Sequence, residues 1–562
     1  MIEELTPQVL MILMFLIIIT VPILTLLLSA LLLWRYRCAV ARMMAMTGDY
    51  HAPAVVAQPA KSSQSAKQQV DDHKVMPHSN DLYLRATSAP WWNVLRYAIS
   101  GLAFAFVFAV AAHFVFPHRF GLSGFLVAVW IYAWPVILAL SLIVPDSLRS
   151  SVVSVAVYFT VFLLLGLWAT TINDLPEYRF GAVMLPARSS VTPLRMMGLW
   201  LVMNGGPTLL MLLCFNRRVS SVAPLLLALV TITITGWLAA MFALFSAPGV
   251  DAVVALAVSL DVHVYWFVLA TFIISLAVFG SIGWALARWI AHAYRDRRLS
   301  DQSLMLDALW LLFASIYSMW LVLGGLPWIS TAPIAFLVYK LTWITIARIS
   351  AGESNISPGL TFLRVFSLGR RSEEMLGNVA RYWRHIGSVQ IITGPDVAGS
   401  TVQPHQFLDY LGGRLSRHFV DDHASLEHSM IERERTQDPD GRFRINNFFC
   451  HADSWQSVLP RLVEDGASVL MDLRNFSATN TGCIHELHYL LQEVPIKRCL
   501  LVVDVTTDKL FLEHTLQEVW KQLSPDSPNR THSPEQLVLY YFDTGKTSLQ
   551  RLVRQLCDTA TG

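Results

Sequence analysis

The chain has 562 residues, of which 54% are hydrophobic and only 15% charged, against about 45–50% apolar and about 25% charged in an ordinary soluble protein. This balance excludes a disordered, collagen-like or disulfide-scaffold chain, and a wholly soluble one does not fit it. A formal net charge of +2 argues neither for nor against nucleic acid, and no motif calls for it as a partner. The six Cys form no CxxC pair, so neither a zinc ribbon nor a dithiol redox motif is indicated and no metal is expected.

The apolar residues are spread unevenly. Of the 18 Trp, only Trp383, Trp455 and Trp520 lie beyond residue 350. Nine segments approach the roughly 20 apolar residues that a membrane helix needs: 9–34, 95–116, 124–145, 151–170, 197–215, 222–246, 263–288, 305–323 and 327–347. They lack period-two alternation, so a barrel is excluded and helices must satisfy the backbone in lipid. The first segment is flanked by Glu3 and Glu4 rather than by basic residues, and its apolar run is too long for a cleaved signal. It reads as a transmembrane anchor over 1–34 with its N-terminus outside.

Residues 35–94 then read as a mobile cytoplasmic loop, because 48–92 are rich in Ala, Gln, Ser and Pro and hold few apolar clusters. A multi-helix membrane domain follows over 95–349. Arg35, Arg37, Arg42, Lys61, Lys67, Lys74, Arg85, Arg149, Arg217, Arg218, Arg295, Arg297 and Arg298 fall in alternate connections, whereas the opposite ones carry only Arg119, Arg179, Arg188 and Arg195. The positive-inside bias places the first set, and everything after residue 350, in the cytoplasm. The pair 305–323 and 327–347, joined by Gly324-Gly325-Leu326-Pro327, also fits a re-entrant hairpin. Asn204-Gly205-Gly206-Pro207 interrupts the fifth segment. A packing kink is favoured there over a substrate site, since ionisable residues are scarce and His113 and Lys340 are the clear cases.

Over 355–562 the pattern changes. Strand candidates Leu363–Ser367, Val389–Thr393, Phe443–Cys450, Ser468–Leu473, Cys499–Val505 and Leu537–Phe542 alternate with helical patterns at 371–386, 404–419, 453–465, 482–493, 508–523 and 546–557. Apolar strands alternating with helices predict a soluble α/β domain, a doubly wound parallel sheet whose ligands sit at the carboxyl ends of the strands.

Several loops at those ends carry chemistry. Gly369-Arg370-Arg371-Ser372 opens a helix and offers amides and guanidinium groups to phosphate. The loop from Thr393 to Ser400 holds Gly394, Asp396 and Gly399 without GxGxxG spacing, which favours a plain turn. Gly545-Lys546-Thr547 resembles half a P-loop, but Tyr540 stands where the cradle needs Gly, so triphosphatase activity is not expected. His418, Asp421, Asp422, His423 and His428 read as a solvated segment, because His423 and His428 are five apart and do not share a helix face. Cys483 stands at a helix N-terminus, which lowers a thiol pKa, although packing is its favoured role. In Met471–Leu487 a buried strand ends, a polar loop follows, and a helix starts near Asn480 or Thr481. Glu486 then lies about one turn into that helix, where spacing alone favours a surface carboxylate that compensates the helix dipole.

The run from Ser477 to Leu487, with its Ser/Asn-rich loop and Cys483-x-x-Glu486-Leu487, resembles the conserved segment of TIR (Toll/interleukin-1 receptor type) domains, and the subset in bacterial TIR-like proteins that cleave NAD. Leu363-Arg364-Val365-Phe366-Ser367 is similar to the first strand of membrane-attached members. The resemblance is confined to the tail. It implies a flavodoxin-like fold and a nucleotide ligand, with Glu486 as the catalytic residue; the strand-end position would then put Arg364, Ser367, Arg370, Arg371, Gly394, Asp396, Ser477 and Asn480 around the nucleotide. NAD or a related nucleotide would be substrate or ligand, not resident cofactor. Cleavage of the nicotinamide–ribose bond passes through an oxocarbenium-like state, which one carboxylate near the ribose stabilises. The resemblance also implies a bacterial inner-membrane signalling or defence protein acting as a homo-oligomer. The alternatives are a non-enzymatic receptor or scaffold, and a transporter or channel regulated by the tail.

Overall fold

The computed structural model describes residues 7–46, 78–116, 122–143, 148–172, 178–180, 183–185, 193–214, 219, 221–349, 358–365, 369–464, 468–543 and 545–561. The chain divides into two compact units: Met1–Leu33 with Trp91–Ala351 and Gln403–Leu408, and Trp34–Pro90 with Gly352–Val402 and Asp409–Gly562.

Nine helices among the described residues are long and apolar enough to cross a membrane. Their bounds follow the apolar runs of the sequence, with extensions in the first, second and seventh. The first helix runs over Pro7–Met44 and the second over Ser79–Val115. Both ends of the segment expected as a mobile loop over 35–94 are therefore helical, and 47–77 lies outside the described residues. Polar composition hid these ends because their apolar positions are few. Leu82 and Ala86 are nevertheless fully buried, packed with Phe362, Met375, Leu376 and Leu552.

The last two apolar helices, Asp301–Leu321 and Thr331–Ile349, are separate and joined by short 3-10 turns around Gly325, whose φ of +130° only glycine adopts readily. The interruption expected at Asn204 is a π-helical turn over Leu201–Gly205, through which the helix passes without breaking. Asn204 is buried there and accepts a 2.6 Å hydrogen bond from Tyr317 Oη, which is a packing role. Phe104, Phe108, Tyr132, Trp134, Tyr158 and Tyr317 form an aromatic core. On the helix Val264–Arg295, Trp266 and Trp289 are exposed and 23 residues apart, about 35 Å along the axis. That is near the separation of the two aromatic belts of a bilayer. A hairpin of β1 (Tyr178–Phe180) and β2 (Val183–Leu185) lies between the fourth and fifth apolar helices.

The second unit is built on seven parallel strands: β3 (Leu360–Arg364), β4 (Val389–Ile392), β5 (Phe419–Val420), β6 (Ile445–Cys450), β7 (Ser468–Asp472), β8 (Cys499–Val503) and β9 (Val538–Tyr541), in the spatial order β5-β6-β4-β3-β7-β8-β9. Side chains alternate between two cores. Val469, Met471, Leu501 and Leu363 pack against helices 481–493 and 509–521, while Leu470, Leu500, Val502 and Phe362 pack against helices 370–383 and 546–561. Both faces are thus covered, which is why the strands read as continuous apolar runs. Without the two-residue edge strand β5, the order counted along the chain is 3-2-1-4-5-6. This is the doubly wound order of dinucleotide-binding sheets, and without β6 as well the remaining five strands read 2-1-3-4-5, the flavodoxin-like order. The direction of winding reverses between β3 and β7, so their carboxyl ends form the topological switch point.

Candidate functional site at the switch point

Arg364 and Asp472 are register partners at the carboxyl ends of β3 and β7. Both are buried, and each is paired elsewhere. Arg364 donates from Nε to Asp396 Oδ2 at 3.0 Å, from Nη2 to Asp396 Oδ1 at 2.8 Å and from Nη1 to Ile392 O at 2.8 Å. Asp472 accepts from Arg474 Nε at 2.8 Å and Nη2 at 2.7 Å. Arg474 Nη2 also donates to Arg371 O at 3.0 Å, and its guanidinium stands 5.5 Å over the Phe542 ring. A third pair joins Arg371 to Asp504, just beyond the end of β8. Burial raises the Asp504 carboxyl, but hydrogen bonds from Thr506 and the Arg371 charge outweigh it and hold the group below the usual carboxylate range.

Glu486 lies beside this set, on the helix Thr481–Glu493. It is 2% exposed, not the surface carboxylate that spacing favours. Its Oε2 is buried without a hydrogen-bond partner. Burial pushes the carboxyl up to about 8, with the Arg364 charge pulling partly the other way. Burial thus favours the neutral acid form of Glu486, and Arg364, Arg371 and Arg474 pair with Asp396, Asp504 and Asp472 respectively. A carboxylic acid in a desolvated position beside a guanidinium, at the ligand edge of a sheet, is where a perturbed pKa marks a candidate site.

The expected residues divide as follows. Arg364, Asp396 and Glu486 come together, and Arg371 joins the edge through Asp504. Ser367 lies outside the described residues. Arg370 is exposed at the start of the helix Arg370–Trp383, next to Gly369, whose φ is +53°. Gly394 is buried, and its carbonyl accepts from Val397 N and Ala398 N, so the loop turns into the short helix Ala398–Thr401. Asn480 occupies the helix N-cap position but does not cap it. Its Oδ1 accepts instead from Ser477 N at 2.9 Å and Ser477 Oγ at 3.2 Å, so the two residues staple their own loop.

Cys483 differs from the expectation of a lowered pKa. Burial pushes its thiol up, and Sγ donates to Arg364 O at 3.5 Å, so desolvation outweighs the helix dipole. Asp472, Arg474 and Asp504 were not among the expected site residues, because Asp472 and Asp504 fall inside the expected strands Ser468–Leu473 and Cys499–Val505 and Arg474 directly follows the first of them. Carboxylates as the last residues of apolar strands were the available signal.

Several of the other sequence candidates are engaged within the fold. His418 pairs with Asp409 at 3.1 Å and His428 with Glu432 at 3.3 Å, and no described group of His, Cys, Asp and Glu forms a metal site. Tyr540 is buried and donates to Ser548 O at 2.6 Å, filling the place where a P-loop has its cradle. In the first unit a cavity of about 400 Å³ is lined by Ile18, Val202, Leu210, Ile316, Met319 and Trp320 among other residues, none of them charged. It therefore offers little to orient a polar solute. The chain matches no family model, no curated protein and no solved structure.

Proposed function

We propose that the protein is a membrane-anchored signalling or effector protein whose cytoplasmic α/β domain binds a nucleotide at the carboxyl ends of β3 and β7. One observation carries this reading: the winding reverses between these strands, and the Arg364–Asp472 register pair stands at that point. In open α/β sheets the crevice at the reversal is where ligands bind. Gly369, with positive φ, leads from β3 into a 14-residue helix whose first residue, Arg370, is exposed. This supports phosphate binding at the first turn. The cytoplasmic placement rests on the Lys/Arg asymmetry of the sequence.

Glu486 favours a second, enzymatic reading, cleavage of NAD, in keeping with the TIR-like segment Ser477–Leu487. That likeness rests on the segment alone. In the reaction the C–N bond to nicotinamide breaks, nicotinamide leaves with the electron pair, water oxygen bonds to the ribose carbon, and a proton is released. Ionised Glu486 would stabilise the oxocarbenium-like state. With the carboxyl pushed up to about 8, the rate should climb with pH through that region. The test incubates full-length protein in detergent with NAD and measures bound nucleotide and released nicotinamide. Release that Glu486→Gln abolishes supports cleavage. Binding without release leaves the receptor reading, and absence of both overturns the nucleotide site.

A further inference from the structure

Arg364, Arg371 and Arg474 are each engaged by a carboxylate, which leaves Arg370 for one phosphate at the helix start and a second phosphate for another cation. We propose that this cation is Arg37, from the end of the helix Pro7–Met44, and that it holds a phosphate of the ligand over the loop Gly394–Ser400. The inference rests on the nucleotide-binding reading above and adds to it a residue from outside the sheet.

Four contacts place residues 36–46 against the loops at the carboxyl ends of β3, β4 and β6, all within the second unit. Tyr36 is fully buried and meets the Tyr410 ring edge-on at 5.2 Å. Arg37 lies 3.8 Å from Glu373, in the first turn of the helix after β3. His451 Nδ1, just past β6, donates to Met43 O at 2.7 Å, and Ala452 N donates to Met46 O at 3.4 Å. The segment is therefore held on the side of the sheet where ligands bind.

Arg37 itself is poorly satisfied. Its Nε is buried with no hydrogen-bond partner, and Glu373 lies beyond hydrogen-bond distance. Its guanidinium rests on Gly399, where any Cβ would overlap it. Gly399 is three residues from Asp396, which clamps Arg364. A guanidinium has five N–H donors in a planar fork suited to phosphate oxygens. Side-chain exposure of 35% leaves part of that fork open to a ligand. The fit is to a diphosphate-bearing nucleotide rather than to a nucleoside.

The experiment titrates full-length protein in detergent with ADP-ribose, and with inorganic pyrophosphate as competitor. Wild type should bind ADP-ribose, and pyrophosphate should displace it. Arg37→Ala should weaken ADP-ribose about tenfold, the effect of one charge-assisted hydrogen bond, and lose competition by pyrophosphate. Arg37→Lys should recover part of the affinity. Glu373→Gln, which removes the nearest carboxylate, should tighten binding and gives a readout even if Arg37→Ala fails to fold. Wild-type binding unchanged in Arg37→Ala, or in Glu373→Gln when Arg37→Ala does not fold, overturns the role of Arg37 alone. A wild type that binds no ADP-ribose overturns the nucleotide site on which the inference rests.

Discussion

Arg364 stands opposite Asp472 in the β3–β7 register, yet its guanidinium is clamped by Asp396, with contacts of 3.0 and 2.8 Å. Asp472 is left to Arg474, two residues along its own chain. Crossing the pairs in this way fastens the 394–400 loop to the central strand. Asp396→Ala would strand a buried guanidinium, at a cost of about 3–5 kcal/mol. A thermal melt of the full chain in detergent should show a large loss for Asp396→Ala and a smaller one for a double variant that also carries Arg364→Met. Equal losses would show that the pair does not hold the loop.

Glu486 gives stability a defined pH dependence. Its carboxyl is pushed up to about 8 in the folded chain, against an ordinary value of 4.5. Between these values the folded chain keeps a proton that the unfolded chain releases. The stabilising contribution is complete below about pH 4.5 and is lost as pH rises through 8, by at most about 1.4 kcal/mol per pH unit. Glu486→Gln removes this term, so the stability difference should move in favour of the Gln variant as pH rises from 5 to 8. Denaturant titrations of both proteins across that range check it. A constant difference would mean that Glu486 is not held protonated by its burial.

In the first unit, Lys340 Nζ lies 2.5 Å from Asp307 Oδ2 and 5.6 Å over the Trp343 ring. Removing one partner leaves the other charge among apolar helices, whereas removing both does not. Lys340→Met alone should lower the melting temperature in detergent much more than the double variant Asp307→Leu/Lys340→Met. The pair lacks structural weight if both variants melt alike.

The proposed orientation predicts opposite labelling of two sites. In a Cys38→Ser background, Val262→Cys should react with a membrane-impermeant thiol reagent in intact cells. Arg298→Cys should react only after permeabilisation. The reverse pattern would place the α/β domain outside.

The elements written in strong periodicity were legible in the sequence. The nine apolar helices and the six longer parallel strands stand near their expected places because continuous apolar runs admit few other environments. Boundaries were lost where tertiary contacts decide them. β3 begins at Leu360, three residues early, because Leu360 N finds Ser388 O, a partner no local pattern announces. The helix expected over 404–419 stops at Leu411, and Gly413, with φ of +73°, turns the chain. The helix His423–Ile431 was hidden in a polar stretch, although Asp422 and Ser425 form a reciprocal capping box that spacing reveals. At the site, Glu486 was legible as a residue but not in its state. Only the packing of helix 481–493 onto β3 and β7 buries it and pushes its carboxyl up.

The most direct test is equilibrium binding of NAD and ADP-ribose to the full-length protein in detergent, with Arg370→Glu, an exposed position at the first turn of the helix after β3, as the variant. Saturable binding at one site per chain is expected, weakened at least tenfold in Arg370→Glu while the fold is retained. Absence of saturable binding, or binding untouched by that substitution, would contradict the nucleotide-binding reading.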